Sequence, residues 1–225
     1  MNFIDIPTEQ TTAATDFILG ILAVWSAYKI YKAGHHSSPV KARIWKWVFI
    51  LLALAAFFGA IAHGFQMDER INFILWQPLN FALGLGISLF AAGAILDLRQ
   101  GSMPGGIVPG LLALGFIFYF ITVLIPGTFL VFIIYEAVVM LFALIAYIVL
   151  ASGQQLNGAW WMVSGIFISI IAAVIQATGS VKIMVFWEFD HNGIFHVVQM
   201  FGIILLLKGL LSTVQLPTAN CPTAN

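Results

Sequence analysis

Seven stretches of this chain are apolar for long enough to cross a lipid bilayer, and this constrains the fold more than any other feature. They run over residues 14–31, 44–65, 71–98, 107–125, 129–151, 158–178 and 193–214. A membrane-crossing helix needs about 20 mostly apolar residues. The runs are continuous rather than alternating, which argues against barrel strands. Charged residues make up 8% of the chain and hydrophobic residues 61%. A soluble domain carries about a quarter charged residues, so this chain cannot cover a water-facing surface. The expected fold is all-α: a polytopic membrane protein with a single bundle of seven transmembrane helices over residues 1–215. A polar, disordered tail is expected over 216–225. Pro126-Gly127-Thr128 is too short for anything but a direct turn between the fourth and fifth spans. Residues 179–192 either extend the sixth helix or fold back at the interface.

Charge sets the direction of the spans. Lys29, Lys32, Lys41, Arg43 and Lys46 flank the first connection, and basic loops stay in the cytoplasm. Seven spans then place the N-terminus outside and the C-terminus inside. Nine basic and nine acidic residues cancel, leaving no nucleic-acid footprint. The polar, acidic start lacks the basic region and cleavage site of a signal peptide, so the first span is expected to remain in the mature protein. Cys221, the only cysteine, excludes a disulfide within the chain.

Polar residues inside a bilayer are costly and mark function. Helix rise converts their position into depth, and here they gather in the outer half. His63 closes span two. Gln77 and Asn80 lie one to two turns into span three, and Glu136 about two turns into span five. Gln176 and Thr178 end span six; His191, Asn192, His196 and Gln199 open span seven. The inner half holds Ser88, Tyr147 and little else. Each residue also has an ordinary reading. Asp190 or Asn192 serves as an N-cap, Gln77-Pro78 marks a kink whose freed carbonyl Asn80 helps satisfy, and Lys208 snorkels to the inner face. Glu136, flanked by Val131-Phe132-Ile133-Ile134 and Val138-Val139-Met140, is harder to dismiss. It must be protonated, paired or facing a wet cavity.

Imidazole is the commonest protein metal ligand, and catalytic zinc typically uses three protein ligands. His63, His191 and His196 supply three imidazoles from one side, with Gln77, Asn192 and Gln199 as supporting polar groups. Glu136 and Asn80 are the catalytic candidates. On a continuous helix His191 and His196 lie roughly 140° apart. His191 therefore bends back from before the helix or supports the site indirectly, whereas Asn192 and His196 share a face.

Gly59-x-x-x-His63 in span two and Asn192-x-x-x-His196 in span seven resemble the CREST superfamily of alkaline ceramidases, progestin and adipoQ receptors and related membrane hydrolases. The family pattern is Ser-x-x-x-His in the second span, an Asp in the third and His-x-x-x-His in the seventh. The segment His191-Asn192-Gly193-Ile194-Phe195-His196 is also similar to that of a group of bacterial membrane proteins. Here Gly59 stands in place of the serine, Asn192 in place of the first histidine, and span three holds no Asp before Asp97 at its inner end. The resemblance implies a diverged zinc-dependent hydrolase of a lipid amide or ester in a bacterial inner membrane, with a membrane lipid as partner. The alternatives are a seven-span receptor or sensor for a lipid or metal, and a haem protein with His63 and His196 as axial ligands. A retinal protein is disfavoured because Lys208 lies too near the inner end, and a transporter because broken-helix repeats are not evident.

Overall fold

In the computed structural model of the protein the described residues are 2–125 and 129–214. The turn at Pro126-Gly127-Thr128, the tail 216–225 and Cys221 lie outside them. Seven helices follow one another: α1 (Pro7–Gly34), α2 (Pro39–Gly64), α3 (Glu69–Leu98), α4 (Ile107–Leu124), α5 (Phe129–Ser152), α6 (Ala159–Thr178) and α7 (His191–Val214). All seven are long and apolar enough to cross a membrane. The protein is an all-α, multi-pass membrane protein.

Helix starts follow local chemistry. Proline opens both α1 and α2, where its missing N–H costs nothing. Asp68 caps α3 by accepting from the Ile71 amide at 2.9 Å. Asp190 caps α7 by accepting from the Gly193 amide at 2.9 Å. That cap starts α7 at His191, two residues before the apolar run begins. The larger departure is α1, which begins at Pro7 rather than at residue 14. Its polar first two turns are helix, not a loose leader.

Residues 179–192 fold back. Strands β3 (Ile183–Met184) and β4 (Glu188–Phe189) pair as an antiparallel hairpin between α6 and α7. At the same end of the bundle β1 (Asn2–Phe3) pairs with β2 (Phe65–Gln66), which follows α2. These short strands lie in connections and leave the helical spans intact.

Helices α1, α2, α3, α5, α6 and α7 pack in a ring, each against the next and α7 against α1. Helix α4 lies outside the ring, mainly on α3, and buries only Gly115 and Phe118. Its contact is close because both partners lack a side chain where they cross. A Cβ at Gly115 would stand 2.5 Å from Ser88 Oγ and 2.8 Å from the Gly84 carbonyl oxygen. Small residues commonly allow such crossings in membranes.

The end of the ring remote from the N-terminus is sealed. Trp45 packs edge-on against Phe90, with ring centroids 4.9 Å apart. Beyond them Lys41 Nζ donates to Asp97 Oδ1 at 2.6 Å, and Tyr147 Oη donates to Asp97 Oδ2 at 2.7 Å. All three side chains are buried. Lys41 is thus no free loop charge, and Asp97 and Tyr147 are a matched pair rather than scattered polar residues. Together they pin α2, α3 and α5.

Candidate functional site

At the N-terminal end the ring encloses a cavity of about 320 Å³. Its walls are mostly apolar, and polar groups from five helices meet in it. Three of those helices present a regular face. In α1, Glu9, Thr12 and Asp16 are spaced i, i+3, i+7; in α2, Gly59 and His63 are i, i+4; in α7, Asn192, His196 and Gln199 are i, i+4, i+7. Each set lies on one side of its helix.

Helix α1 supplies the residues that the apolar pattern passed over. His196 Nε2 lies 3.1 Å from Asp16 Oδ1, both side chains being 7% exposed. Its Nδ1 lies 3.1 Å from Thr15 Oγ1. The Thr15 hydroxyl is also 2.9 Å from the carbonyls of Thr11 and Thr12, so it either spends its single hydrogen on its own helix and accepts from Nδ1, or donates to Nδ1. In the second tautomer Nε2 donates an ordinary hydrogen bond to Asp16. In the first, Nε2 presents a lone pair to the carboxylate, and a proton or a metal cation stands between the two atoms.

Gly59 makes room for this pair. A Cβ there would stand 2.5 Å from Asp16 Oδ2, so any side chain at this position would displace the carboxylate. His63, one turn later on the same face, donates from Nδ1 to Glu9 Oε2 at 2.6 Å, and Trp76 packs edge-on against its ring. Asp190 accepts from Thr12 Oγ1 at 3.0 Å as well as capping α7. Thr11 Oγ1 donates to the Glu188 carbonyl at 2.6 Å. The start of α7 and its hairpin are thus tied to α1.

The remaining predicted residues divide cleanly. His191, Asn192, Gln199, Gln176 and Glu136 all line the cavity, and Gln176 Nε2 lies 3.4 Å from Asn192 Oδ1. Glu136 reaches the cavity from α5, which packs mainly on α3 and α6. Among the described residues nothing hydrogen-bonds its carboxylate. Gln77 and Asn80 are not brought to the cavity. Gln77 bonds the Phe73 carbonyl of its own helix at 3.1 Å. The residues missed in the sequence are Glu9, Thr12, Thr15 and Asp16. Their signal was present: a polar stripe at helical spacing that begins before the apolar run, at Glu9 and Thr12, and continues into it at Thr15 and Asp16.

Among the described residues no three histidine, cysteine or carboxylate side chains already stand as a closed metal site. The donor chemistry nevertheless fits zinc. About 2.0–2.1 Å bonds in a tetrahedron put neighbouring donors about 3.3 Å apart, close to the 3.1 Å between His196 Nε2 and Asp16 Oδ1. The hydrogen bond on the far nitrogen of His196 is the usual support of a ligating imidazole. His63 has the same arrangement, with Glu9 holding Nδ1.

Neither a curated protein nor a solved structure matches the chain. A family match covers residues 11–214, a range that contains Asp16, His63, Glu136 and His196. By that match the protein belongs to a family of unknown function (DUF6962).

Proposed function

We propose that the protein is a membrane-embedded, zinc-dependent hydrolase of an amide- or ester-linked lipid. The observation that carries this reading is the His196 Nε2–Asp16 Oδ1 pair, a ring nitrogen and a carboxylate oxygen 3.1 Å apart on the wall of a mostly apolar cavity. His63, His196 and Asp16 would hold the metal, with His191 at the cavity edge as a further imidazole. When bound, zinc supplies Lewis-acid polarisation of a carbonyl oxygen. The chain does the rest. Thr15 and Glu9 fix the two imidazoles. The apolar walls receive an acyl chain and exclude bulk water. Glu136, on the cavity wall, exchanges a proton with water or with the leaving group. The CREST resemblance supports the same chemistry. Asp16 brings an oxygen beside Gly59, where the family pattern has a serine.

The basic residues support an N-terminus outside and a C-terminus in the cytoplasm of a bacterial inner membrane. With Lys41 neutralised by Asp97, the first connection keeps Lys29, Lys32, Arg43 and Lys46. Three of these lie over aromatic rings: Lys29 over Trp25, Lys32 over Tyr28 and Lys46 over Tyr31. Lys208 lies over Trp161 at 3.5 Å. Such pairs are the anchors of an aqueous interface.

The test is elemental analysis of protein purified without chelator. Wild type is expected to carry near-stoichiometric zinc, and His63→Ala, His196→Ala and Asp16→Ala almost none. A second reading, a receptor or sensor without metal, is favoured by one observation: both ring nitrogens of His196 already face protein groups, so a proton suffices between Nε2 and Asp16. Folded wild type without metal would establish that reading and overturn the hydrolase.

A further inference from the structure

Among the ionisable groups that line the cavity, Glu136 and His191 have no hydrogen-bond or ion-pair partner in the described residues. Asp16 faces His196, His63 holds Glu9, and Asp190 takes Thr12 and its own helix N-terminus. Glu136 lines the same cavity and, among the described residues, has nothing bonded to it. It sits on a membrane-spanning helix with apolar neighbours along the chain. Glu136 is half-buried, so its carboxylate is open to a donor from water or from what enters the cavity.

Charge complementarity narrows that donor. The lining carries two carboxylates, Asp16 and Glu136, and three imidazoles, His63, His191 and His196; among the described residues no lysine or arginine lines it. The protein thus contributes no fixed cation there, and Glu136 lies outside the Asp16, His63 and His196 set assigned to the metal. The rest of the wall is aliphatic and aromatic, suited to an alkyl chain. The volume, about 320 Å³, lies at the lower end of ligand cavities, which fits one chain rather than two.

We propose that the cavity binds a cationic, single-chain amphiphile, its alkyl chain along the apolar walls and its ammonium group hydrogen-bonded to Glu136. This rests on the reading of the cavity as a lipid site and names the class of lipid. An ammonium offers three donors and a full charge, whereas an alcohol offers one neutral donor. The charge-assisted bond is the stronger.

The test is equilibrium binding to the full chain in nanodiscs of zwitterionic lipid, with empty nanodiscs correcting for partition. The probes are radiolabelled dodecylamine and 1-dodecanol, which share the chain and differ in charge. Wild type is expected to bind dodecylamine saturably, about tenfold or more tighter than dodecanol. Glu136→Gln is expected to lose that advantage while binding dodecanol unchanged. Glu136→Asp, which keeps the charge, is expected to keep most of it and serves as the variant of record if Glu136→Gln does not fold. Equal affinity for amine and alcohol in wild type, or undiminished amine binding in Glu136→Gln, would overturn the inference and leave the lipid site standing. No saturable binding of either probe would overturn both. Metal content and turnover do not enter the measurement, so the hydrolase reading stands or falls separately.

Discussion

Replacing Gly59 with alanine places a methyl group where the Asp16 carboxylate already stands. The new Cβ would be 2.5 Å from Oδ2, 3.0 Å from Cγ and 3.2 Å from Oδ1. A carbon and an oxygen in close contact sit about 3.3 Å apart or more, so the shortfall at Oδ2 is about 0.8 Å. Helix separation cannot absorb it cheaply, because α1 and α2 touch elsewhere along their length: a Cβ at Gly20 would meet Phe57 at 2.6 Å and one at Gly64 would meet Ala13 at 3.3 Å. The carboxylate must swing aside instead, and its 3.1 Å approach to His196 is lost. Overpacking of this size costs about 1–3 kcal/mol. The assay is the denaturation midpoint in detergent of four proteins: wild type, Gly59→Ala, Asp16→Ala and the double variant. With Asp16 trimmed to alanine the methyl has room, and Gly59→Ala should then cost under about 0.5 kcal/mol. The expected coupling between the two sites is therefore about 1–3 kcal/mol. An equal cost of Gly59→Ala in both backgrounds would refute the claim that this glycine exists to seat Asp16.

Lys41→Met should destabilise by about 3–5 kcal/mol, because it strands a buried Asp97 carboxylate with only the Tyr147 hydroxyl; Lys41→Met with Asp97→Leu should lose much less, and equal loss in single and double variants on chemical denaturation would contradict the pairing. Asp190→Ala removes both the cap of α7 and the partner of Thr12 and should cost about 1 kcal/mol or somewhat more, read as a lowered unfolding midpoint. Gln77→Leu should leave zinc content unchanged, since Gln77 bonds only its own helix and does not reach the cavity; loss of metal in that variant would show that α3 does contribute there. A reporter active only in the cytoplasm should signal at the C-terminus and stay silent at the N-terminus; the reverse would invert the orientation drawn from Lys29, Lys32, Arg43 and Lys46.

The seven spans were legible because their signal is additive: about 20 apolar residues in a row leave few alternatives. The gathering of His63, Glu136, Asn192, His196 and Gln199 was legible because depth follows from position along a helix. Rotation about the helix axis is a different quantity, and an apolar run surrounded by lipid barely encodes it. Gln77 and Asn80 have the right depth but do not line the cavity, and Gln77 bonds its own helix instead. Asp16 was overlooked for the opposite reason. It stands where a polar N-terminal stretch meets the apolar run, and a hydropathy boundary was drawn through the site. Lys41 and Asp97 lie 56 residues apart in sequence, and nothing local to either states that they meet.

The first helix and the connection that follows it are tied at both ends to the last helix and the hairpin that precedes it. Thr11 and Thr12 hold Glu188 and Asp190 at one, and Ser37 Oγ donates to the Val214 carbonyl at 2.6 Å at the other. The order of synthesis gives this closure a consequence. While the ribosome is still making the middle of the chain, Asp16 is already in or near the bilayer and His196 does not yet exist. The cavity therefore cannot be assembled stepwise as helices leave the translocation channel; it forms only when the seventh span swings in beside the first. A product that stops before residue 190 would leave Thr12 Oγ1 and the Asp16 carboxylate without the partners that Asp190 and His196 supply.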